Sequence, residues 1–412
     1  MGLQAGTRQR LLAAAFLAVV AAACGGGGGG GGSAPPAPAP APSPAPAPAP
    51  SPAPAPAPQA VNWGVFPSAE RVIGQQAFNV GDAPIDASPA RLNFPVGSPA
   101  ISADGTLFVA EQGANQVKVF RRYTEGNGPD AAFSIPMDNT SGASIHGQRL
   151  VILGSAFPPP PTPEQNVVHI YDSLPDAPPA GGPDRSAGAA QGCTASRLSL
   201  PRSAYITRQG QLIVADTNNN RVLIWDSLGD GGPVGSARVV IGQEDKAICA
   251  DRPTSDQTLN EPSSVWSDGV KLIVADRRNH RVLIWTSIPT GDFMAADLVI
   301  GQQFPEDNLP NAGLSAPTAS TLSQPISVDV SETGQMAVVD RNNNRVLVWN
   351  AIPTRNNQPA DQVIGQPDPL TGTIAPVSIK TLNQPSGVRF DGRNMIVVDT
   401  GNNRVLVFRA LD

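Results

Sequence analysis

The stretch Val214-Ala215-Asp216-Thr217-Asn218-Asn219-Asn220-Arg221-Val222-Leu223-Ile224-Trp225 decides the fold, because close copies of it return three times further along the chain. The copies are Val274–Trp285, Val338–Trp349 and Val397–Phe408, and their arginines recur at spacings of 60, 64 and 59 residues. Repetition at this length, in sequence rich in β-branched residues, is typical of radial or stacked repeat architectures. The repeats therefore predict a fold more firmly than a function.

Each repeat is interpreted as four strands, and the unit that begins at Pro262 shows this best. Its predicted strands are Ser263–Ser267, Lys271–Ala275, Arg281–Trp285 and Ala296–Gln302. The dipeptide Asp268-Gly269 favours a tight turn between the first two strands. The second and third strands are apolar at consecutive positions, which indicates burial on both faces. Such burial is expected where a sheet stacks between two neighbours, as propeller blades do.

The number of units can be inferred from a Leu-x-x-Pro motif that precedes the first strands. Its copies are Leu92–Pro95, Leu198–Pro201, Leu259–Pro262, Leu322–Pro325 and Leu382–Pro385. Successive prolines are 61, 63 and 60 residues apart in the last four copies, but Pro95 and Pro201 are 106 apart, which leaves room for one degenerate unit. Its predicted strands are Ala143–His146, Arg149–Leu153 and Asn166–Tyr171, with the Pro-rich insertion Phe157–Pro163 at its corner. The first unit is also weakened, since Glu111 and Gln116 replace Asp and Arg. Six units result.

A Val-Ile-Gly-Gln motif predicts how the ring closes. It follows a third strand at Val240–Gln243, Val299–Gln302 and Val363–Gln366, and it also stands ahead of the first unit at Val72–Gln75. The sixth unit ends at its third strand, so the N-terminal copy supplies the missing fourth, which removes an exposed sheet edge. The prediction is an all-β fold, a six-bladed β-propeller over residues 60–412 whose N-terminal strand completes the last blade.

These motifs, taken together, are similar to the NHL repeat. Leu-x-x-Pro, a Gly-containing turn, Val-Ala-Asp and Asn-x-Arg-Val-Leu-Ile-Trp carry the resemblance, and the first two units depart from it. The resemblance implies a propeller, since known NHL domains include six-bladed ones. The family also includes RNA-binding heads, protein-interaction modules and a peptidyl-hydroxyglycine lyase, so it leaves the function open.

The first 59 residues are predicted to be non-globular. Residues 1–23 carry Arg8 and Arg10 and the apolar run Leu11–Ala23, which is typical of a secretory signal peptide and too short to span a bilayer. The small residues before Cys24 resemble the lipobox of bacterial lipoproteins, with Ala21 where Leu is more usual. That resemblance implies lipidation of Cys24; ordinary cleavage nearby is the alternative.

A linker follows Cys24, and residues 24–59 are assigned to it. The run Gly25–Gly32 is flexible, and the mostly alternating Ala34–Pro58 favours extended polyproline II, at ~3.1 Å per residue. A disordered tether that holds the head away from a membrane is the natural interpretation. Gly25 after the cysteine resembles lipoproteins sorted to an outer membrane. The expected location is therefore the bacterial cell envelope, with membrane contact through a lipid anchor.

The charge disfavours nucleic acid as a partner. The chain has a net charge of −6, and removal of the two arginines in the signal segment leaves −8. Binding to phosphate backbones needs clustered basic residues, and only Arg121-Arg122 and Arg277-Arg278 are adjacent in the head. We expect a monomer without a cofactor.

The repeated acid–base pairs could form either a functional charged ring or structural corners. The pairs are Asp216/Arg221, Asp276/Arg281, Asp340/Arg345 and Asp399/Arg404. Structural corners are favoured, because catalytic sites usually break a repeat and corners do not. The asparagines two residues before each arginine are expected to adopt left-handed conformations at these corners; they are Asn219, Asn279, Asn343 and Asn402.

Candidate chemistry beyond the corners is sparse. The three histidines are His146, His169 and His280, of which His280 is interpreted as a surface variant of a corner asparagine. No catalytic group and no metal ligands are assigned, since Asp329 on a first strand has no evident partner. The preferred function is recognition of a protein, peptide or glycan by long connections at one end, unless these are merely solvated. They are Glu244–Thr258, Gln303–Thr321 and Pro367–Thr381. The alternative is a hydrolase or lyase at the channel mouth.

Two cysteines remain in the exported head, Cys193 and Cys249. Both precede a Leu-x-x-Pro motif, so they lie in connections at the same end of adjacent blades. An even pair in an oxidising compartment is a disulfide candidate. Two separate thiols are the alternative.

Overall fold

Six small β-sheets form the folded part of the chain, and each is one blade. The computed structural model describes residues 61–83, 88–125, 130–155, 167–188 and 191–411. The inner strand of each blade contacts the inner strands of both neighbours around a central channel. The all-β, six-bladed propeller is therefore confirmed. The signal segment, Cys24, the tether and the insertion Phe157–Pro163 lie outside the described residues.

The blades follow the chain in order, and their strands are numbered from the channel outwards. Blade 1 contains Pro95–Ile101, Leu107–Glu111, Gln116–Phe120 and Phe133–Pro136. Blade 2 contains Asp138–His146, Arg149–Ser155, Val167–Tyr171 and Arg185–Ala187. Blade 3 contains Ser203–Ile206, Leu212–Asp216, Arg221–Trp225 and Val239–Ile241. Blade 4 contains Pro262–Ser267, Leu272–Asp276, Arg281–Trp285 and Leu298–Ile300. Blade 5 contains Pro325–Val330, Met336–Asp340, Arg345–Trp349 and Gln362–Ile364. Blade 6 contains Gly387–Asp391, Asn394–Asp399 and Arg404–Arg409.

The outermost strand of blade 6 comes from the start of the head, as the Val-Ile-Gly-Gln motif predicts. Arg71–Ile73 pairs antiparallel with the third strand, with Val72 opposite Leu406. Val72, Ile73 and the nearby Trp63 are at most 1% exposed. Chain closure therefore covers a sheet edge and buries apolar side chains at the same place.

Blade 2 contains a fifth strand that the sequence does not reveal. Gly232–Pro233, from the connection between the third and fourth strands of blade 3, pairs parallel with Arg185–Ala187. The two residues carry no period-2 apolar pattern, and only the tertiary arrangement brings them to this edge.

Apolar packing between blades accounts for the unbroken apolar runs of the second and third strands. Leu272–Asp276 and Arg281–Trp285 are buried at every position. One cluster joins blades 3 and 4, and another joins blades 4 and 5. Because each blade needs a neighbour on both faces, the ring folds as one unit. Among the described residues no helix is long and apolar enough to cross a membrane.

Serine side chains cover the inner-strand edges that face the channel. The Ser203 Oγ accepts a hydrogen bond from the backbone N–H of Val265 in the next blade, at 3.2 Å, and the Ser264 Oγ accepts one from Val328, also at 3.2 Å. These side chains replace the ladder partners that an edge strand lacks. Gly387 occupies the equivalent position in blade 6, where a Cβ would lie 1.9 Å from the Gly97 carbonyl oxygen. Blades 6 and 1 therefore approach each other too closely for any other residue.

Two ends of the ring differ in structure. The loop-rich end comprises the corners 217–220, 277–280, 341–344 and 400–403, the connections 244–258, 303–321 and 367–381, and the segments 88–94 and 191–202 that lead into the first strands of blades 1 and 3. Corner and connection contact each other directly: the Asn220 Nδ2 donates to the Asp251 Oδ1 at 2.8 Å, and the Asn344 Nδ2 donates to the Gly372 carbonyl at 3.0 Å. The opposite turn end comprises the short turns 207–211, 267–271, 331–335 and 391–394.

Candidate functional site

The repeated acid–base pairs are buried clamps at the loop-rich end. In blade 4 the Arg281 Nε donates to the Asp276 Oδ2 at 2.8 Å, and both side chains are fully buried. The Asp276 Oδ1 accepts from the backbone N–H of Asn260 at 2.7 Å. Burial raises the pKa of the Asp276 carboxyl, while Arg281 and the N–H donors act to lower it. Equivalent ion pairs form in blades 3, 5 and 6; they are Asp216–Arg221, Asp340–Arg345 and Asp399–Arg404.

Each clamp arginine also holds two connections in place. The Arg281 Nη2 donates to the carbonyls of Ser255 and Thr258 in the connection before blade 4, at 2.7 and 2.8 Å. Its Nη1 donates to the Pro305 carbonyl in the following connection. Because all guanidinium nitrogens are engaged inside the protein, these arginines hold the loops that flank them and are not available to a ligand.

The corner of blade 1, where Glu111 and Gln116 replace Asp and Arg, forms a similar clamp from different side chains. The Gln116 Nε2 donates to the Glu111 Oε2 at 2.6 Å, and the Lys118 Nζ lies 3.3 Å from the Glu111 Oε1. Lys118 is buried, and its Nζ donates to the carbonyls of Ser88 and Arg91 in the preceding connection. Lys118 therefore takes over the loop-holding role that arginine has in blades 3–6.

The left-handed residue of each corner stands one position later than predicted. Asn219, Asn279, Asn343 and Asn402 belong to single 3₁₀ turns and donate to the clamp carboxylates at 2.8–2.9 Å. The following residue has φ of 50–54° in blades 3–6. Its side chain bonds the next blade: the Asn220 Oδ1 accepts from the N–H of Glu261 at 2.9 Å. Asparagine suits both roles, since its amide offers donors and an acceptor.

The interpretation of His280 as a surface variant is corrected by its contacts. His280 occupies the left-handed position of blade 4, and its Nδ1 accepts a hydrogen bond from the N–H of Gln324 in blade 5, at 2.9 Å. Because the Nδ1 accepts, the ring is neutral and carries its proton on Nε2. Burial lowers the pKa of His280, which favours this state. His280 is therefore a blade-to-blade contact.

Cys193 and Cys249 form a disulfide bond, which confirms the prediction. Their Cα atoms are 6.1 Å apart, and 56 residues separate them in sequence. The bond joins the connection before blade 3 to the connection before blade 4. It therefore fixes two loops of the loop-rich end to each other.

Non-repeating side chains line the channel towards the turn end. Blades 3, 4, 5 and 6 place different residues at the fourth position after the first-strand proline; they are Tyr205, Trp266, Asp329 and Arg389. The Asp329 Oδ1 lies 3.2 Å from the Arg389 Nη1, and its Oδ2 accepts from the N–H of Phe390 at 2.7 Å. Asp329 thus has the partner that the sequence does not show. The ring of His146 packs edge-on against Tyr205 with centroids 4.3 Å apart.

The pKa values of His146 and Asp329 differ from those of the same side chains in water. Burial, with a smaller contribution from the Arg389 charge, lowers the pKa of His146 to about 3, so its imidazole is neutral at physiological pH. Burial raises the pKa of Asp329, and Arg389 opposes that effect. Within the described ranges no group of three or more His, Cys, Asp and Glu residues is arranged to hold a metal ion.

Three arginines surround the channel mouth at the loop-rich end. Arg202 and Arg341 line a cavity of about 800 Å³ that includes the solvent at the mouth. Arg277 lies beside them: burial, and then the charges of Arg202, Arg278 and Arg341, lower its pKa to about 10. Burial and the Arg202 charge likewise lower the pKa of Arg341. Positive charge is therefore concentrated at this mouth although the chain as a whole is acidic.

Exposed apolar side chains concentrate at the same end. Eleven large apolar residues are exposed among the described ones, and seven of them lie at the loop-rich end: Phe94, Leu200, Phe304, Leu309, Leu314, Leu370 and Ile374. The connections that carry five of them contact one another, since a Cβ on Gly372 would lie 3.1 Å from the Pro317 Cγ. The loop-rich end is thus a surface with apolar side chains around a basic mouth.

Most residues of this surface are absent from the sequence-based site assignments. Arg202 and Arg341 are not singled out, and Arg277 is noted only as part of an adjacent basic pair. Alignment of the repeats offers a signal that would find them. The residue after the clamp aspartate is Thr217 or Thr400 in two blades but arginine in two others, and such breaks in a repeat mark positions released from a shared structural role.

Comparison with known proteins supports the fold. The NHL repeat family signature matches residues 198–225. No curated protein sequence matches the chain. Virginiamycin B lyase from Staphylococcus aureus is similar in structure at 13% identity, with a TM-score of 0.39, 76% of this chain covered and 94% of that one. A catalytically inactive form of that lyase with quinupristin has 13% identity, a TM-score of 0.43, and 82% and 98% coverage. A streptogramin B lyase has 12% identity, a TM-score of 0.43, and 82% and 97% coverage. At these TM-scores and identities the likenesses carry no further argument about this chain.

Proposed function

We propose that this NHL-repeat β-propeller protein is a binding module that recognises a protein, peptide or glycan through its loop-rich end. One observation carries the proposal: seven of the eleven exposed large apolar side chains lie at that end. Apolar groups exposed together on a soluble surface mark interaction sites more often than scattered ones do. Long loops held by a rigid scaffold are also the usual place for recognition.

The loops are held in a way that suits recognition. The clamp arginines and the Cys193–Cys249 bond fix several connections to the blades and to one another. A loop that is ordered before binding loses less conformational entropy when a ligand binds. The fixed connections therefore favour a preformed binding surface.

We also propose that the head is tethered to a membrane of the bacterial cell envelope through lipidated Cys24. The short apolar segment before Cys24 and the Gly-rich and Pro-Ala-rich stretch after it support this proposal. Mass spectrometry of the mature protein is expected to find a diacylglyceryl adduct on Cys24, which Cys24→Ser abolishes. An unmodified mature terminus beyond Cys24 would contradict the tether.

The binding proposal is tested with the mature full-length protein on a glycan array and a displayed peptide library. Leu370 and Ile374 are 63% and 62% exposed and lie in one connection of the loop-rich end. We expect Leu370→Ser/Ile374→Ser to weaken binding of the recovered ligand at least about tenfold, because each exposed apolar contact is worth ~1 kcal/mol or more when buried. Val270→Ser at the turn end, where Val270 is 57% exposed, is the matched control and leaves binding unchanged. Equal binding by both variants, or no ligand in either screen, contradicts the proposal.

A hydrolase or lyase acting at the channel is the competing proposal. The presence of Asp329 and Arg389 in the channel, with His146 packed against Tyr205 nearby, favours it. Two contacts weigh against it, since Asp329 already bonds Arg389 and the Phe390 N–H. A pKa of about 3 also makes His146 a weak base. Turnover of a recovered ligand that Asp329→Asn abolishes would favour the enzyme over the binding module.

A further inference from the structure

We propose that Arg202, Arg277 and Arg341 form a binding site for an oxyanion, a carboxylate, sulfate or phosphate group, at the channel mouth of the loop-rich end. The inference rests on the proposed function in one respect: the ligand recognised at that end presents this group. Guanidinium groups bind such anions through paired, charge-assisted N–H donors.

The positions of these arginines are not required by the blade structure. Arg277 and Arg341 directly follow the clamp aspartates of blades 4 and 5. Threonine stands there in blades 3 and 6, and its hydroxyl donates to the first carbonyl of the next inner strand. The Thr217 Oγ1 reaches the Pro262 carbonyl at 2.7 Å, and the Thr400 Oγ1 reaches the Pro95 carbonyl at 2.8 Å. Threonine thus performs the structural role, and arginine introduces charge without performing it.

The positive charge at the mouth is not balanced by neighbouring acids. Glu261 pairs with Arg277 and also with Arg278, at 2.7 Å from the Arg278 Nε. Within the described residues, the one hydrogen-bond partner of the Arg341 side chain is the neutral Gln384 Oε1, at 3.3 Å. No ion pair or hydrogen bond of the Arg202 side chain is found within the described part of the chain. Among the described ion pairs, Glu261 is thus shared by Arg277 and Arg278, and neither Arg202 nor Arg341 pairs with a carboxylate.

Donors at the mouth also remain unused. The Arg277 Nε is buried and has no hydrogen-bond partner among the described residues. Burial, and then the charges of Arg202, Arg278 and Arg341, lower the pKa of Arg277, and a bound anion would offset the repulsion between these charges. Arg202 and Arg341 line the cavity, so an anion can approach them from solvent.

The test measures thermal unfolding of the mature full-length protein in sodium sulfate, phosphate or acetate, against sodium chloride of equal ionic strength. Equal ionic strength removes general screening from the comparison. We expect at least one oxyanion to raise Tm in a saturable way, as a ligand of the folded state does. The preferred oxyanion identifies which of the three groups the site takes.

Arg277→Thr/Arg341→Thr copies the threonines of blades 3 and 6 and is expected to fold with unchanged Tm in chloride. It should weaken the oxyanion at least about tenfold, since two charge-assisted interactions are lost. Arg208→Thr, at the exposed turn end of blade 3, is the matched control and keeps the full Tm shift. No Tm shift with any of the three anions, or the same shift in all three proteins, overturns the proposal.

Failure of this inference is separable from failure of the binding function. If a ligand of the loop-rich end depends on Leu370 and Ile374 but not on the three arginines, only the anion site is wrong. If the oxyanion effect depends on the arginines while the two screens yield no ligand, only the proposed recognition of a protein, peptide or glycan is wrong.

Discussion

The corner clamps and the channel mouth lie side by side in the same blades, yet their arginines have opposite surroundings. Arg281 is fully buried and bonds Asp276, Ser255, Thr258 and Pro305. Arg277, four residues earlier, shares one carboxylate with Arg278 and retains an unpaired buried Nε. The clamp recurs in four blades, whereas arginine follows the clamp aspartate in only two. The comparison teaches that the clamp residues maintain the fold, whereas the arginines that follow the clamp aspartates in blades 4 and 5 are not used by the clamps.

The largest expected effect comes from breaking the ring itself. Deletion of residues 1–76 removes Trp63, Val72 and Ile73, all at most 1% exposed, and leaves the third strand of blade 6 as an edge. At ~1.5–3 kcal/mol for each buried side chain, the free energy of unfolding should fall by at least about 5 kcal/mol. Denaturant unfolding measures this, with deletion of residues 24–58 as the control. Equal midpoints for the two truncations would show that closure does not stabilise the ring.

The next largest effect comes from a comparison of two arginines of blade 4, Arg281 in the clamp and Arg277 at the mouth. Arg281→Thr leaves Asp276 buried without its partner and should lower the free energy of unfolding by ~3–5 kcal/mol. Arg277→Thr, the same substitution four residues away, should change it by less than ~1 kcal/mol, because the Arg277–Glu261 pair is partly exposed and Glu261 keeps Arg278. Urea unfolding of both variants makes the comparison. Similar losses in the two would remove the distinction between clamp and mouth.

A smaller effect is expected from the Cys193–Cys249 bond, which joins two loops of the loop-rich end. Cys193→Ser/Cys249→Ser should lower the free energy of unfolding by ~2–4 kcal/mol, as the chain-entropy account predicts for a loop of this length. The clamps are intact in this variant, so the channel should be preserved while the connections before blades 3 and 4 loosen. Hydrogen exchange of those connections against the inner strands tests this. Uniform loosening of all blades would contradict the local role.

The smallest effect concerns His280, which replaces the corner asparagine in blade 4 and still accepts a hydrogen bond from the next blade. His280→Ala removes the acceptor for the Gln324 N–H and should cost ~1 kcal/mol, while His280→Asn restores the residue of blades 3, 5 and 6 and should be nearly neutral. The pKa of His280 is lowered in the fold, so the unfolded chain binds the proton more readily. Its contribution is therefore present above the unfolded pKa near ~6.5 and is lost as pH falls towards the folded pKa.

The same position offers a pH test. Between pH 7 and 5 the wild-type protein should lose more stability than His280→Asn, whose side chain does not titrate. His146 and His169 have lowered pKa values in both proteins, so their shared contribution cancels in the difference. Parallel pH profiles would mean that His280 does not carry the contact when the ring is neutral.

Much of the fold could be predicted from sequence because the same strand, turn and corner residues recur in several repeats. The strands of blade 4 differ from their predicted bounds by one residue in the first two strands, and Arg281–Trp285 agrees. Ring closure was predictable because Val72–Gln75 duplicates an outer-strand motif. The strand Gly232–Pro233 was not, since a two-residue parallel pair has no sequence pattern and depends on where blade 3 places its connection.

The candidate site was less predictable, because its residues do not recur in every repeat. Arg202, Arg277 and Arg341 are far apart in sequence, and only the ring brings them to one mouth. The partner of Asp329 is Arg389, 60 residues later in the neighbouring blade, a contact that spacing alone does not identify. The corner asparagines show how precisely the sequence predicts a backbone conformation. Composition predicts a left-handed residue at the corner, but hydrogen bonding decides that Asn220 and not Asn219 adopts it.

The most direct test of the division between fold and recognition is thermal unfolding of two variants in chloride and in the preferred oxyanion. We expect Arg277→Thr/Arg341→Thr to keep the wild-type Tm in chloride and to lose the shift that the oxyanion causes. We expect Arg281→Thr to have a lower Tm in chloride and to keep that shift. The reverse pattern, in which the mouth variant unfolds early or the clamp variant loses the anion response at unchanged Tm, would contradict the account.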